Sequence, residues 1–207
     1  MKRVFPFLLI FLLVYTNSIS QMRGEKSIAS NNIKSIYIKS KYISNIQVFN
    51  SVDESIKINY RSEGEYQNLF TIQTKLAESS LYIADKLQPF TNNPNDKLAA
   101  HKISVATIKL YIPKHISLFI STRQADVAIN AKLPYLFTEV NSGMVTANYF
   151  EGDAAIYTIT GSIKLTTKNA NLITNSNTGT IYTEKMSGTH NIHLISLSGD
   201  ISAYKIK

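Results

Sequence analysis

Apolar and polar residues alternate along most of the chain from residue 33 onward, which is the pattern of half-buried β-strands. In the first half, alternating segments occupy residues 33–40, 45–50, 55–60, 69–74, 81–84 and 103–112. Polar stretches with glycine or proline separate some of them, at 61–68 and at 85–101. The pattern therefore predicts a β-rich but irregular first half, with a long polar excursion over 85–101.

The second half shows a regular spacing of small residues. A glycine or alanine is followed two places later by valine or isoleucine, and this pair returns after 18 residues, or 20 at the last step. The five pairs are Ala125 and Val127, Gly143 and Val145, Gly161 and Ile163, Gly179 and Ile181, and Gly199 and Ile201. Parallel stacking explains this spacing directly, because each residue then lies above its counterpart in the next copy.

Helices and ordinary hairpins fit this half less well. Glycine in every copy and β-branched residues at period two disfavour a helix. A meander would need turn signals every 8–12 residues. We therefore predict an all-β, single-stranded β-solenoid (β-helix) with roughly 18-residue coils across 21–207. Irregular coils would occupy 33–112, and regular 18–20-residue coils would occupy 115–207.

The predicted coils assign a side to each residue near a glycine. The glycines would stand at corners where a positive φ is needed, and the valine and isoleucine row would stack inside. Ile163 is then buried and Lys164 exposed. We expect Ile163→Asp to stop folding and Lys164→Asp to be tolerated.

The first twenty residues have the composition of an export signal. Lys2 and Arg3 precede an apolar run over 4–14, and small residues follow at 16–20. Eleven apolar residues are fewer than the roughly 20 needed to span a bilayer as a helix. We expect cleavage after Ser20, so that 1–20 is a signal peptide and the mature chain has no transmembrane anchor.

The order of these parts resembles a known family. A signal peptide, the segment "SNIQVFNSVDESIKINYR", a polar excursion and "IKLYIPKHISLFISTRQADVAI" lead into turns such as Ala125-Asp126-Val127 and Gly199-Asp200-Ile201. This order resembles the bacterial domains of unknown function that are described as adhesins of β-helix type. The resemblance covers nearly the whole mature chain. It implies an exported, right-handed β-solenoid, and it brings no established catalytic residues.

Composition and charge narrow the expected partners. The chain has no cysteine, which excludes disulfides, zinc–thiolate sites and thiol catalysis. The formal charge of +8 becomes +6 once Lys2 and Arg3 are removed. An exported basic protein is expected to meet an envelope polymer, a glycan or a protein rather than nucleic acid. Because the chain ends at Lys207, just after the last copy, we expect a periplasmic, secreted or cell-surface protein.

The titratable residues do not form a recognisable catalytic or metal motif. Glu139, Glu151 and Asp153 are close in sequence but fall on two copies, and His190 and His193 would point to opposite faces of a strand. We therefore expect no catalytic residue, no metal ligand and no cofactor. The main hypothesis is a non-catalytic binding or structural protein of the bacterial envelope. A polysaccharide-active enzyme, a glycan-binding module and a ligand-free or stress-associated scaffold stay open as alternatives.

Aromatic residues give a hint of a ligand-facing site. Those of the second half include Tyr135, Phe137, Tyr149, Phe150, Tyr157 and Tyr182. Tyr149 and Phe150 are adjacent, so an alternating strand would turn one of them outward. Exposed aromatic side chains on a β face are common in glycan and protein binding. Tyr149 and Phe150 are therefore the candidate ligand-facing residues.

Overall fold

The computed structural model describes residues 22–63, 70–87 and 105–206, and this part of the chain is almost entirely β-structure. The strands are β1 (Met22–Ala29), β2 (Ser35–Ser40), β3 (Asn45–Asn50), β4 (Ser55–Glu63), β5 (Phe70–Ala77), β6 (Ser80–Leu87), β7 (Val105–Ile112), β8 (Ser117–Gln124), β9 (Asp126–Asn130), β10 (Lys132–Ser142), β11 (Val145–Thr158), β12 (Ile163–Thr167), β13 (Ala170–Ser176), β14 (Ile181–Thr183), β15 (His190–Ser196) and β16 (Ile201–Lys205).

All sixteen strands belong to one curled, mixed sheet that resembles half of a barrel. Two runs of hydrogen-bonded strands can be followed in it. Run A has the order β1-β4-β7-β3-β9-β11-β12-β16-β14, and run B has the order β5-β6-β2-β8-β10-β11-β15-β13. The curl turns one side of both runs toward a shared apolar core of mainly isoleucine, leucine, valine and alanine.

Strand β11 joins the two runs because it bends in its middle. Its first part pairs in run A, with Phe150 opposite Thr167, and its second part pairs in run B, with Glu151 opposite Lys132. At the bend Tyr149 has φ +51° and Gly152 has φ +139°. Both angles lie in the region that residues with a Cβ avoid, which glycine tolerates at 152 and which makes Tyr149 the strained residue of the bend.

The predicted fold class, a single-stranded right-handed β-solenoid, is wrong, and so is the β-helix type of the resembled family. Strand β4 runs antiparallel to both of its neighbours, β1 and β7, and β5 runs antiparallel to β6. Successive coils of such a helix would all run parallel. The physical reason for the error is that period-two alternation reports burial, and it is the same for both strand directions.

The order of the copies also departs from the prediction. Val127, Val145 and Ile163 are parallel neighbours at the predicted offset. Ile163 then pairs with Ile201, and Ile201 pairs with Ile181. The last copy therefore lies between the third and the fourth. Run B shows the same exchange, since β15 lies between β11 and β13.

The glycines are needed mainly because backbones approach closely. Among the four spaced glycines, Gly143 has the positive φ predicted for a corner, and the prediction is wrong for Gly161, Gly179 and Gly199. A Cβ at Gly161 would lie 1.8 Å from the carbonyl oxygen of Gly143, and a Cβ at Gly199 would lie 2.2 Å from that of Gly161. Neighbouring turns thus rest on one another at these positions, which leaves no room for a side chain.

The strands predicted in the first half are present as β2 to β7, with bounds that differ by a few residues. Strand β1 was not predicted, because its sequence MRGEKSIA has no run of alternating apolar residues. The proposed signal peptide over 1–20 and most of the excursion over 85–101 lie outside the described residues. Within the described ranges, no helix is long and apolar enough to cross a bilayer.

Candidate binding surface on the outer face of run B

Aromatic side chains form a continuous row on the solvent-facing side of run B. The parallel register places Tyr82 beside Tyr37, Tyr37 beside Phe119, and Phe119 beside Phe137. Tyr135 and Tyr157 flank this row on β10 and β11. The six residues Tyr37, Tyr82, Phe119, Tyr135, Phe137 and Tyr157 are called the aromatic stripe below. The stripe crosses five strands, which corresponds to about 19 Å at the usual strand spacing.

The rings pack in two ways along the stripe. Tyr37 is stacked on both sides, with its ring centroid 5.1 Å from that of Tyr82 and 4.6 Å from that of Phe119, and interplanar angles of 13° and 12°. Phe119 meets Tyr135 and Phe137 at tilted angles of 50° and 32°. The stacked part therefore shows ring edges and phenol hydroxyls to solvent, while the tilted rings cover one another less completely.

The stripe leads into further partly exposed side chains. Ala155 follows Phe137 in the register, and His193 and Ile173 follow on β15 and β13. Tyr82 at one end is 44% exposed and Ile173 at the other is 56% exposed. An apolar row of this length on a protein surface is a usual mark of a binding site.

The outer face of run A is different in character. Its equivalent row is Gln47, Ala128, Thr146, Lys164, Ser202 and Tyr182. Within the described part of this face, the ring contacts are the isolated pairs Phe49–Tyr111 and Tyr182–Tyr204. A hollow of about 660 Å³ on this face is lined by charges of both signs, among which Arg61 and Glu63 pair with each other. The aromatic stripe thus distinguishes run B from run A.

Four cationic side chains border the aromatic stripe. Lys39 lies beside Ser121 and Ala84 in the register, two residues beyond Tyr37. Lys41 directly follows the last residue of β2. Arg123 is the second-last residue of β8, and Lys86 is the second-last residue of β6. All four are exposed, and none of the ion pairs found within the described ranges involves them. The residues Lys39, Lys41, Lys86 and Arg123 are called the basic cluster below.

Asp85 lies beside the basic cluster, but its carboxylate is already engaged. It accepts hydrogen bonds from the hydroxyl of Ser40 at 2.7 Å and from the backbone N–H groups of Lys41, Tyr42 and Ile43 at 2.6–3.1 Å. These bonds hold the turn that leads from β2 to β3. Asp85 thus has a structural role, and the four cations outnumber it.

The two ligand-facing residues predicted from the sequence lie at the bend of β11, away from the stripe. Tyr149 is 69% exposed, as expected for the outward member of the pair. Phe150 is completely buried, and its carbonyl oxygen accepts a hydrogen bond from the hydroxyl of Thr167 at 2.7 Å. Phe150 therefore belongs to the core and cannot face a ligand in this fold.

The acids and histidines singled out in the sequence are not assembled into one centre. Glu151 pairs with Lys132 at 2.8 Å and with Lys168 at 3.1 Å, and these contacts hold the pKa of the Glu151 carboxyl below its usual range. Asp153 accepts a hydrogen bond from the backbone N–H of Asn191 at 2.9 Å. Its Oδ1 also lies 3.6 Å from Nδ1 of His190.

Glu139 stands apart from these acids, and His193 stands apart from His190. Glu139 is opposite Tyr157 of β11. Because Tyr157 lies four residues beyond Asp153 on that strand, Glu139 is about 13 Å from Asp153 along the strand direction. His193 lies beside Ala155 and Ile173, on the line of the stripe. Within the described ranges, no group of three or more His, Cys, Asp or Glu residues is arranged to hold a metal ion.

Sequence reasoning missed half of the stripe. Phe119 and Phe137 each lie six residues before the glycine or alanine of their copy, so their 18-residue spacing was a usable signal. Tyr37 and Tyr82 belong to the irregular half, where no spacing relates them to the later copies. Their place in the stripe follows from the parallel pairing of β2 with β6 and β8.

Comparison with solved structures shows which fold this chain shares. No protein-family model matches the chain, and no curated protein sequence matches it. A putative cell adhesion protein from Clostridium sporogenes is similar over 90% of this chain and 100% of its own, with 9% identity and a TM-score of 0.62. At that identity the likeness shows a common fold.

Two weaker likenesses have TM-scores too low to support an argument. A putative adhesin from Bacteroides fragilis covers 91% of this chain and 99% of its own, with 14% identity and a TM-score of 0.40. A putative lipid binding protein from Parabacteroides distasonis covers 89% of this chain and 97% of its own, with 12% identity and a TM-score of 0.31. The likeness in fold therefore rests on the Clostridium sporogenes protein.

Proposed function

We propose that this chain is an exported, non-catalytic binding protein of the bacterial envelope that presents the outer face of run B to a polysaccharide. The observation that carries the proposal is the aromatic stripe, which crosses five strands on one face and has no counterpart in the described part of the other. Half-exposed aromatic side chains offer apolar area at low entropic cost, and tyrosine adds a hydroxyl for hydrogen bonding.

A polysaccharide suits this surface because of its shape and chemistry. The stripe is long and lies open on the outer face of the sheet, so it favours an extended partner over a small molecule that needs an enclosed pocket. Phenol hydroxyls can hydrogen-bond with the hydroxyls of successive sugar units, and the tilted rings, which cover one another less completely, can take their C–H groups. The stacked arrangement around Tyr37 fixes these groups in place before binding, which lowers the entropic cost of association.

The non-catalytic part of the proposal is supported by the state of the acids. Glycoside hydrolysis needs two carboxyl groups about 5 to 9.5 Å apart on either side of one bond. Glu151 is engaged by two lysines, Asp153 by Asn191 and His190, and Glu139 lies about 13 Å from Asp153 along the strands. Glu151 and Asp153 are close along β11 but each is already paired with other residues of the chain, and Glu139 is too far from Asp153 to act with it on one glycosidic bond.

A role at the envelope is supported by two further observations. The first twenty residues have the charge and apolar pattern of an export signal. The Clostridium sporogenes protein that shares the fold is described as a putative cell adhesion protein. Our proposal extends a role of this kind to the present chain.

A matched pair of variants tests the proposal. The chain from Gln21 to Lys207 would be titrated with a panel of soluble bacterial and plant polysaccharides, with release of reducing ends measured in parallel. Phe119→Ala removes the centre of the stripe, and Phe49→Ala removes a comparable stacked ring from the outer face of run A. We expect Phe119→Ala to weaken binding roughly tenfold and Phe49→Ala to leave it unchanged.

Circular dichroism of both variants would show that they are folded. Tyr82→Ala, at the exposed end of the stripe, serves as a second variant if Phe119→Ala is unstable. Equal losses in the Phe49 and Phe119 variants would contradict the assignment of the face. Release of reducing ends would show that the protein is an enzyme.

A further inference from the structure

We propose that the polysaccharide bound by run B is acidic, with its carboxylate or sulfate groups held by Lys39, Lys41, Lys86 and Arg123. This inference rests on the proposed function and specifies its ligand. The four cations lie beside the part of the stripe formed by Tyr82, Tyr37 and Phe119, displaced from it along the strands. Lys39 is two residues beyond Tyr37 on the same face, or about 7 Å along the strand, so one extended chain can contact both.

The basic cluster is organised around two shallow hollows. One, of about 270 Å³, is lined by Lys39, Lys41 and Arg123 together with Ser121 and Asn141. The other, of about 370 Å³, is lined by Lys39, Lys41, Lys86 and Asp85. The two hollows share Lys39 and Lys41, so these two lysines stand between them. Each hollow could take one anionic group, and the two would bind successive charges of one chain.

The charges of the basic cluster are not neutralised within the described structure. Asp85 accepts four hydrogen-bond donors of the turn at 40–43, and its single charge is set against four cations. Glu139 is the next acid on this face, beside Ser121, but it forms no ion pair within the described ranges. An anionic ligand would therefore supply charge that the protein lacks at this point.

A nucleic acid fits the stripe less well than an acidic polysaccharide does. Proteins that bind single strands stack bases on open aromatic faces. Both faces of the Tyr37 ring are already covered, by Tyr82 and Phe119, at interplanar angles of 13° and 12°. A base could not stack on Tyr37 without separating these rings, whereas sugar hydroxyls can hydrogen-bond with the phenol hydroxyls at the ring edges.

An anionic membrane also fits less well. Insertion into the headgroup region depends on apolar side chains that protrude from an amphipathic surface. The stripe residues other than Tyr82 are half-buried in a sheet, so they offer little that could enter a bilayer. The combination of an open aromatic row and adjacent cations therefore favours a soluble, extended polyanion.

Two matched probes separate the charge of the ligand from its backbone. The chain from Gln21 to Lys207 would be titrated by calorimetry with polygalacturonate and with its fully methyl-esterified form, which has the same backbone without the charges. We expect the acidic form to bind at least tenfold more tightly, and this preference to diminish as salt rises. Dextran sulfate and dextran form a second matched pair for sulfate groups.

Two double variants then locate the preference. Lys39→Gln with Lys41→Gln is expected to weaken binding of polygalacturonate roughly tenfold and to leave the esterified form unchanged, since exposed charge pairs are each worth a few-fold. The control is Lys109→Gln with Lys164→Gln, which removes two exposed lysines from the outer face of run A. Both double variants change the net charge equally, so a nonspecific effect of charge would be the same in both.

Each outcome has one meaning. If both forms of each pair bind equally and binding depends on Phe119, the ligand is neutral, so the proposed function stands and this inference fails. If neither pair binds while a neutral polysaccharide of the panel does, this inference fails and the proposed function stands; if no polysaccharide of the panel binds, both fail. Equal losses in the two double variants would also overturn the inference. Tighter binding to oligothymidylate or to phosphatidylglycerol vesicles than to either acidic polysaccharide would replace the acidic polysaccharide with a nucleic acid or a membrane.

Discussion

Replacing Gly161 by alanine tests the close packing of turns that holds the second half of the sheet together. A Cβ at this position would lie 1.8 Å from the carbonyl oxygen of Gly143 and 3.0 Å from its carbonyl carbon. Both are backbone atoms, so no side chain can rotate away. Restoring an ordinary contact distance of about 3.4 Å requires the two turns to separate by about 1.6 Å.

The size of the effect follows from the bonds beside this contact. The backbone N–H of Val145 donates to the carbonyl of Ser162 at 2.9 Å, and that of Thr160 donates to the carbonyl of Asn141 at 2.9 Å, so both bonds join the two turns. A separation of that size breaks or weakens both bonds, at about 1 kcal/mol each. Overpacking adds about 1–3 kcal/mol. We therefore expect Gly161→Ala to lower the free energy of unfolding by about 3–5 kcal/mol.

Urea unfolding followed by circular dichroism measures this change, and the melting temperature should fall by about 10 °C or more. The matched control is Ala125→Gly, in the first copy, where the alanine side chain is already accommodated in the core. That variant loses a buried methyl group, and its unfolded chain gains conformational entropy. Together these changes lower the free energy of unfolding by about 1–2 kcal/mol. If Gly161→Ala costs less than Ala125→Gly, the turns do not rest on one another and the account of the glycines is wrong.

Two further predictions concern the core and an ion pair. Ile163→Asp should abolish folding, because a carboxylate would replace a side chain that is 1% exposed. The free energy of unfolding of Lys164→Asp should stay within about 1 kcal/mol of that of the parent. Thermal melts check both expectations, and similar melts for the two variants would contradict the assignment of inner and outer residues on β12. The lowered pKa of Glu151 means that its ion pairs with Lys132 and Lys168 contribute stability at pH values above the ordinary glutamate pKa of 4.5, and that this stability is lost as pH falls through the lowered value. Glu151→Gln should therefore flatten the dependence of stability on pH below about 4.5; urea midpoints measured between pH 7 and pH 3 would contradict this if both proteins lose stability in parallel.

The alternation of apolar residues was enough to predict where most strands lie. It did not predict which strands pair or whether they run parallel or antiparallel. Ile46 and Val48 of β3 and Ile56 and Ile58 of β4 alternate in the same way. Yet β3 runs parallel to β7 while β4 runs antiparallel to it. Burial on one face is the same in both cases, so the sequence carries no mark of direction.

The regular spacing of the glycines had a similar limit. It predicted which residues could be paired, since Val127, Val145 and Ile163 lie side by side. It could not predict the order, because copies with the same phase can pack on one another in any sequence. The exchange that puts Ile201 between Ile163 and Ile181 costs no apolar contact.

At the predicted ligand-facing residues, a local bend in β11 interrupts the alternation of buried and exposed side chains. Counting in twos from the buried Val145 and Ala147 would put Tyr149 inside and Phe150 outside. The positive φ at Tyr149 shifts the phase, so that Tyr149 is exposed and Phe150 is buried. The aromatic stripe could not be predicted from the sequence for another reason. Its members come from five strands, and the pairing of these strands had to be known first.

The central claim is that the outer face of run B is the binding surface, and an NMR titration tests it most directly. The chain from Gln21 to Lys207, labelled on its phenylalanine and tyrosine rings, would be titrated with polygalacturonate. The account predicts that the ring signals of Tyr37, Phe119 and Phe137 shift while those of Phe49 and Tyr111 do not. Shifts confined to Phe49 and Tyr111, or to Tyr149 at the bend of β11, would contradict it.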